Sequence, residues 1–541
     1  MKRSTCVLAL LAALIPACGD GMKSPSSVPP SEGVDDLGSA GTDGSGPVPD
    51  PAAPKPATTT PLPRSTPEAE GVSSSGVLAL VSALETQINE VHSLMLVRHG
   101  KVIAEGWFAP YTPGDMHNMY SVSKSFNSTA VGMAVGEGLL GVDDLVLSFF
   151  PDLAPAAPAP GLQQMTVKNL LTMATGHAAD TIDRMRAAPD GQWTKAFLAL
   201  NVENPPGSAF FYNSGAAYML GAIVQKVTGM SVEEYLTPRL FEPLGISNRL
   251  WGKSPEGVDM TDGGLSITTE ELAKFGLLYL QKGQWNGEQL VSEQWVNDAT
   301  SKEISNGNDN GNWSYGYGYQ FWRSPLGFRA DGSLGQYSFV LPDQDVVLAV
   351  TSGTSNSGGT NSLMNVVFQN LPAAIQPDVL PEDPAAHDAL TAKLASLALS
   401  VPQGQPTSSL MPDVSGSRYA IASNSQGISA IVADFSGENP VLTIEDADGP
   451  HVIPVGIGHH LRARTGFKKH INELFDTPDQ AISTIGAWTS DNTFTAKLTF
   501  TETPYSMTAI FAFEGNQLTV DMGYNVRWGS ATEPQITGTR E

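Results

Sequence analysis

The chain has 541 residues, 41% of them hydrophobic and 16% charged, with a formal net charge of −25. That length buries a large core across two or three domains, and the acidity excludes nucleic-acid binding, since nothing here builds a basic face for phosphates. No self-similarity of the solenoid or propeller kind is visible.

Residues 1–17 read as an export signal: Lys2 and Arg3, an apolar run from Val7 to Ile15, then Ile15-Pro16-Ala17-Cys18. The run is too short for a retained membrane-spanning helix. The tetrad resembles a bacterial lipobox, which implies lipidation of Cys18 and anchoring in the cell envelope, at the periplasm or the cell surface. Pro16 is an unusual occupant of its position, so plain cleavage to a secreted, soluble protein is the alternative. Cys6 and Cys18 are the only cysteines. If one leaves with the signal and the other carries lipid, no disulfide can form. Residues 18–64 are Pro, Gly, Ser, Ala and Asp with few large apolar residues, the composition of a disordered tether.

Folding is expected from Ser65. Val77 to Val91 shows helical periodicity. Ser93 to His99 and Lys101 to Trp107 read as two strands joined at His99-Gly100. Ser121 then opens a helix whose run from Phe126 to Leu140 is apolar enough to be buried on most sides. Short helices follow at Leu145 and from Val167 to Thr175, the latter closing on Gly176. A further apolar helix spans Ala216 to Val227.

Ser121-Val-Ser-Lys124 is the only Ser-x-x-Lys in the chain. Residues three apart share a helix face, so the Ser121 hydroxyl and the Lys124 amine can meet. Serine is a weak nucleophile until a base takes its proton, and a buried lysine with a lowered pKa is such a base. The bland alternative is a serine that only caps the helix. Ahead of the Ala216 helix stands Phe211-Tyr212-Asn213-Ser214. The Tyr212 phenol could relay a proton to a leaving group, with Lys124 lowering its pKa; packing is the alternative.

Ser121-Val-Ser-Lys124-Ser-Phe, Leu170 to Gly176, Pro206-Gly-x-x-Phe-x-Tyr212, Gly263 to Thr269 with Leu272 to Gly276, and Gly335-Gln336 occur in one order. In that order they resemble the class C β-lactamase-like serine hydrolases. That group resembles the penicillin-binding proteins, D-alanyl-D-alanine peptidases, family VIII carboxylesterases and aminohexanoate-dimer hydrolases. The resemblance covers about residues 65–400 and implies an α+β fold, an antiparallel sheet flanked by helices with a helical subdomain. It implies Ser121 as acylating nucleophile, Lys124 as base and Tyr212 as relay, with the N–H groups of Ser121 and Gln336 as oxyanion donors. Neither metal nor cofactor is expected.

Two departures bear on substrate. The usual Tyr-x-Asn carries Ser214 at its third position, and Ser333-Leu334-Gly335 stands where Lys-Thr-Gly or His-x-Gly is usual. Without a cation there, carboxylate-bearing β-lactams and D-Ala-D-Ala peptides lose a partner. A small ester or amide is therefore expected as substrate, with β-lactamase or carboxypeptidase activity, or a non-catalytic envelope-binding lipoprotein, as alternatives.

Trp313 to Phe321 alternates aromatic residues with small or polar ones and reads as a strand whose aromatic face is packed rather than substrate-stacking. His177 is a candidate for the cleft rim or a solvated loop. Residues 401–541 alternate apolar and polar residues in short runs, among them 418–421, 428–435, 441–444, 494–500, 507–513 and 518–522. This predicts a separate β-barrel or sandwich. Its His451, His459, His460 and His470 lack metal-ligand spacing.

Overall fold

Val91–Arg98 (β1) is buried along its whole length, and Lys101–Trp107 (β2) returns antiparallel to it. His99 and Gly100 join them at φ 49° and 73°, the left-handed pair that a tight hairpin requires. The computed structural model describes residues 60–308, 310–467, 479–527 and 530–541. The export signal, Cys6, Cys18 and His470 lie outside the described residues.

Four later strands complete the first sheet: Trp322–Ser324 (β3), Gly327–Gly332 (β4), Gln336–Leu341 (β5) and Val346–Ser352 (β6). Its order is β2-β1-β6-β5-β4-β3, antiparallel throughout. Period-two alternation divides it into two faces. Leu94 and Leu96 of β1 pack with helices Ser74–Gln87 (α1) and Gly359–Ala374 (α5), while Met95 and Val97 face Val122–Gly136 (α2) and Thr269–Leu280 (α4). Beyond α2 lies the helical subdomain, built from Val167–Leu171, Ile182–Arg186, Trp193–Leu198 and Ser214–Thr228 (α3). It shares its core with the α2 side of the sheet. Helix Pro384–Ala395 (α6) packs on α1. No helix among the described residues is long and apolar enough to cross a membrane.

The C-terminal domain is all β and nearly closed. Its strands are Ser417–Ile421 (β7), Ala430–Asp434 (β8), Val441–Asp446 (β9), Gly449–Pro454 (β10), Gly456–Ile457 (β11) and Leu461–Thr465 (β12). Gln480–Ser490 (β13), Thr493–Phe500 (β14), Ser506–Glu514 (β15), Gln517–Tyr524 (β16) and Ile536–Arg540 (β17) follow. Their order is β10-β9-β8-β7-β17-β16-β15-β14-β13-β11, with β12 also on β13. Trp488, Phe494, Phe511 and Phe513 fill its interior.

Two expectations need correction. Residues 60–64 are not tether: Leu62 is buried and donates its N–H to Glu270, and Arg64 pairs with Glu105 and Glu270, each at 2.8 Å. Residues 313–321 form turns and two isolated bridges at Tyr317, to Ile304 and Trp322, rather than a strand, because Gly316 and Gln320 adopt positive φ (96° and 63°) and break the extended path. Four β-domain strands, Gly449–Pro454, Leu461–Thr465, Gln480–Ser490 and Ile536–Arg540, lie outside the runs named from alternation.

Candidate active site

Ser121 occupies the N-cap position of α2, yet its side chain makes no capping hydrogen bond. The hydroxyl instead faces Lys124, whose Nζ lies 3.0 Å from Ser121 Oγ. The preceding residue, Tyr120, is held at φ 46°, a left-handed conformation that costs a tyrosine energy and must be imposed from outside. The constraints are visible. The Tyr120 N–H donates to Asn118 Oδ1 at 3.1 Å, and the Met119 N–H to the Leu265 carbonyl at 2.8 Å. From the β-domain, the Glu502 carbonyl accepts the Asn118 N–H at 2.9 Å and the Tyr505 hydroxyl meets that of Tyr120 at 2.8 Å.

Lys124 is buried and donates also to the Asp262 carbonyl. That acceptor comes from the Gly263-Gly264 segment, which Ser123 fastens to α2 by accepting the Leu265 N–H at 3.0 Å. Burial pulls the Lys124 amine down to about 8, against the opposing pull of the Asp262 and Asp180 carboxylates. The Asp262 carboxyl is itself pushed up by burial and bonds Arg186 at 3.0 Å. Asp180 receives the N–H groups of Ile182 and Ser214. Neither aspartate stands out in sequence, because each reaches Lys124 only through the tertiary fold.

Tyr212 stands on the other side, half-buried, with Lys124 Nζ 5.2 Å from its ring centroid. The expected lowering of its pKa by Lys124 is not what the surroundings dictate. Burial and the carboxylates of Asp331, Asp180 and Asp262 hold the phenol well above its ordinary value, outweighing its hydrogen bond to Ser121. It stays protonated, which suits a proton donor.

Beside these groups opens a cavity of about 230 Å³, lined by Ser121, Tyr212, Trp313, Trp322, Asp331, Gly332, Ser333, Asn356 and Thr360. Trp322 stacks on Tyr212 with ring centroids 6.0 Å apart, and Trp313 meets Trp322 edge-on at 4.6 Å. Trp313 therefore faces the cavity, contrary to the packing reading of that segment, while Tyr317, Tyr319 and Phe321 are buried as expected.

The third motif moves. Ser333 lines the cavity, but Leu334 is buried in the β-domain core and Gly335 abuts Ser352. Gln336, the expected oxyanion donor through its backbone N–H, is wholly buried on β5 beside Gly332 of β4 and does not line the cavity, and its side-chain amide is spent on the Ser333 and Ser352 carbonyls. The element that meets Ser121 is the end of β4, Asp331-Gly332, and the turn residue Ser333. Gly332 is required there because a Cβ would stand 2.2 Å from the Met119 carbonyl oxygen. Ser214 lies outside the lining and donates its N–H to Asp180 at 2.9 Å.

His177 is neither rim nor solvated. It is buried against Phe197, hydrogen-bonded to Thr175 at 2.9 Å, and burial pulls it down to about 4. His451 pairs with Asp446 at 2.9 Å, and His460 meets Ser483 at 3.4 Å. Lys253 and Arg329 offer the cleft no unpaired cation. Lys253 binds Asp259 at 2.5 Å, and Arg329 is fully buried on Asp331 at 2.7 Å.

The beta-lactamase family profile matches residues 81–366. The chain belongs to the beta-lactamase family. It is 27% identical over 231 residues to the 6-aminohexanoate-dimer hydrolase of Paenarthrobacter ureafaciens, an alignment covering 39% of this chain and 58% of that one. Penicillin-binding protein 4 of Amycolatopsis lactamdurans is 25% identical over 307 residues, 50% of this chain and 80% of the relative. A Bacillus anthracis structure assigned provisionally as a 6-aminohexanoate-dimer hydrolase shares the fold at TM-score 0.50 and 21% identity, covering 60% of this chain and 90% of that one. The chain thus spans just over half the length of the first of these relatives and four fifths of the second.

Proposed function

We propose that the protein is a serine hydrolase that forms an acyl-enzyme with small esters or amides. The observation that carries this reading is the 3.0 Å approach of a buried lysine, drawn down to about 8, to Ser121 Oγ. In the neutral form of Lys124 that contact reverses and the hydroxyl donates. Ser121 Oγ then attacks the carbonyl carbon while its proton passes to Lys124 Nζ. The oxyanion is received by the N–H groups of Ser121, at the start of α2, and Ser333, which replaces Gln336 in this role. The Tyr212 phenol donates to the departing oxygen or nitrogen and regains its proton from Lys124. Water then repeats the sequence on the acyl-enzyme, with the same groups acting in reverse.

The cavity has no basic side chain among its lining residues, so a carboxylate-bearing β-lactam or peptide finds no partner there. Esters and simple amides are favoured over both. We place the protein at the cell envelope, tethered through lipid on Cys18, on the strength of Ile15-Pro16-Ala17-Cys18 and the polar stretch that follows.

A fluorophosphonate probe tests the nucleophile directly: the protein should label, and Ser121→Ala should neither label nor hydrolyse nitrophenyl butanoate, with its thermal midpoint nearly unchanged. Activity of the variant within tenfold of the parent would remove Ser121 from this role.

A further inference from the structure

The cavity contains one carboxylate, and it is placed where it can be used. Asp331 lies on β4 immediately before Gly332, whose backbone presses on the segment leading into Ser121. Its side chain is only 8% exposed. Arg329 reaches it from behind, Nε to Oδ2 at 2.7 Å, and is itself completely buried. Oδ1 has no hydrogen-bond partner among the described residues, and Asp331 lines the cavity together with Ser121 and the three aromatic rings. Oδ1 is therefore an oriented acceptor that opens to the cavity and can take a donor that enters it.

The surroundings specify what that donor is. Tyr212, Trp313 and Trp322 wall the cavity, and aromatic faces attract cations, as Lys124 at 5.2 Å from the Tyr212 centroid and Arg329 at 4.6 and 5.8 Å from those of Trp313 and Trp322 already do from within the protein. The Asp180 and Asp262 carboxylates add their field at the same end of the cleft, where they act on Tyr212 together with Asp331. Arg329 is spent on Asp331, Arg186 on Asp262, and Lys124 on Ser121 Oγ and the Asp262 carbonyl. The volume of about 230 Å³ falls below the ~300–1,000 Å³ usual for drug-sized ligands, so the substrate is short.

We infer that Asp331 is the specificity determinant of this site and that the preferred substrates are short esters or amides carrying an ammonium group, which docks on Asp331 Oδ1 beside Trp313 and Trp322. This rests on the hydrolase reading above. It goes further in naming the charge of the substrate.

Two isosteric pairs test it on the intact protein, each exchanging an ammonium for a hydrocarbon. Nitrophenyl 3-aminopropanoate against nitrophenyl butanoate varies the acyl side, and 2-(dimethylamino)ethyl butanoate against 3-methylbutyl butanoate varies the leaving group. At pH 7.5 the cationic member of at least one pair should show kcat/KM at least tenfold higher, and in Asp331→Asn that ratio should fall below twofold. Equal turnover within both pairs overturns the inference whether or not the variant folds, and a ratio that survives in Asp331→Asn overturns the assignment to Asp331. Absence of all turnover and of fluorophosphonate labelling would instead refute the hydrolase reading. The subsite would then be judged by calorimetry, where 2-(dimethylamino)ethyl butanoate should bind at least tenfold more tightly than 3-methylbutyl butanoate, and equal binding would overturn it.

Discussion

Lys124 can serve as base only when neutral, and its burial sets the pH at which that occurs. The ordinary amine would titrate at 10.5, whereas here it is drawn down to about 8. At pH 7 the neutral fraction rises from about 0.03% to about 9%, a gain of roughly 300-fold in competent enzyme. The expected profile of kcat/KM for nitrophenyl butanoate therefore climbs about tenfold per pH unit from 6 and levels off above about 8, with Ser121→Ala as the blank for spontaneous hydrolysis. Lys124→Arg, whose guanidinium stays charged, should lose about a thousandfold or more at every pH. The linkage has a definite sign. Between about 8 and 10.5 the unfolded chain holds a proton on Lys124 that the native protein does not, so stability contributed by this group rises with pH across that window. Below it the group costs about 3 kcal/mol, the order expected for a shift of that size. A flat profile from pH 6 to 9, or an inflection near 10, would refute the assignment of Lys124 as a neutral base.

On the same preparation, nitrophenyl butanoate should exceed nitrocefin by at least about a hundredfold in kcat/KM, near 2.7 kcal/mol of transition-state binding; equal rates would mean that some cation does reach the cleft. Tyr505→Phe removes the 2.8 Å contact that restrains Tyr120, and should lower kcat several-fold at a stability cost of about 1 kcal/mol. An unchanged kcat would show that the remaining contacts of the turn suffice. Cys18→Ala should release the protein from the membrane fraction or stall its processing, and native protein found wholly soluble with an unmodified Cys18 would exclude the lipid anchor.

The parts of the site that could be read in advance are those whose geometry is local. Ser121 and Lys124 are one helical turn apart, so their spacing is their distance. Tyr212 was legible from the residues that lead into α3. What could not be read depends on sheet register and distant loops. The Asp262 carbonyl reaches Lys124 across 138 residues, and Trp313 reaches the cavity from a segment whose alternation imitates a strand while Trp322 does so from β3. Motif order alone puts the third motif on Ser333-Leu334-Gly335. Only the pairing of Gly332 with Gln336 shows that β4 ends at the nucleophile while Leu334 turns away. The fold was legible to the same extent. The His99-Gly100 hairpin and the alternating β-domain runs are short-range signals, whereas the return of β6 beside β1 is not.

The β-domain is built into the catalytic machinery as well as attached to it. The two backbone segments that flank the cavity are each anchored there. On one side Tyr120 and Asn118, just ahead of the nucleophile, are held by Tyr505 and the Glu502 carbonyl. On the other, Leu334, next to the Ser333 proposed as an oxyanion donor, is packed in the β-domain core. Behind both, the buried Glu90 at the head of β1 accepts from Lys497 at 2.7 Å and from Ser506 and Asn525 of the same domain. A nucleophile that follows a residue held at an unfavourable φ, as Ser121 follows Tyr120, and an oxyanion pocket made of main-chain donors both need rigid support, because a displacement of about 1 Å can cost about a hundredfold in rate. With those supports supplied from 501–505 and from the socket around Leu334, the hydrolase sheet and the β-domain share one strained turn. A disturbance of the β-domain near Tyr505 is therefore expected to register at Ser121 before it registers in the sheet.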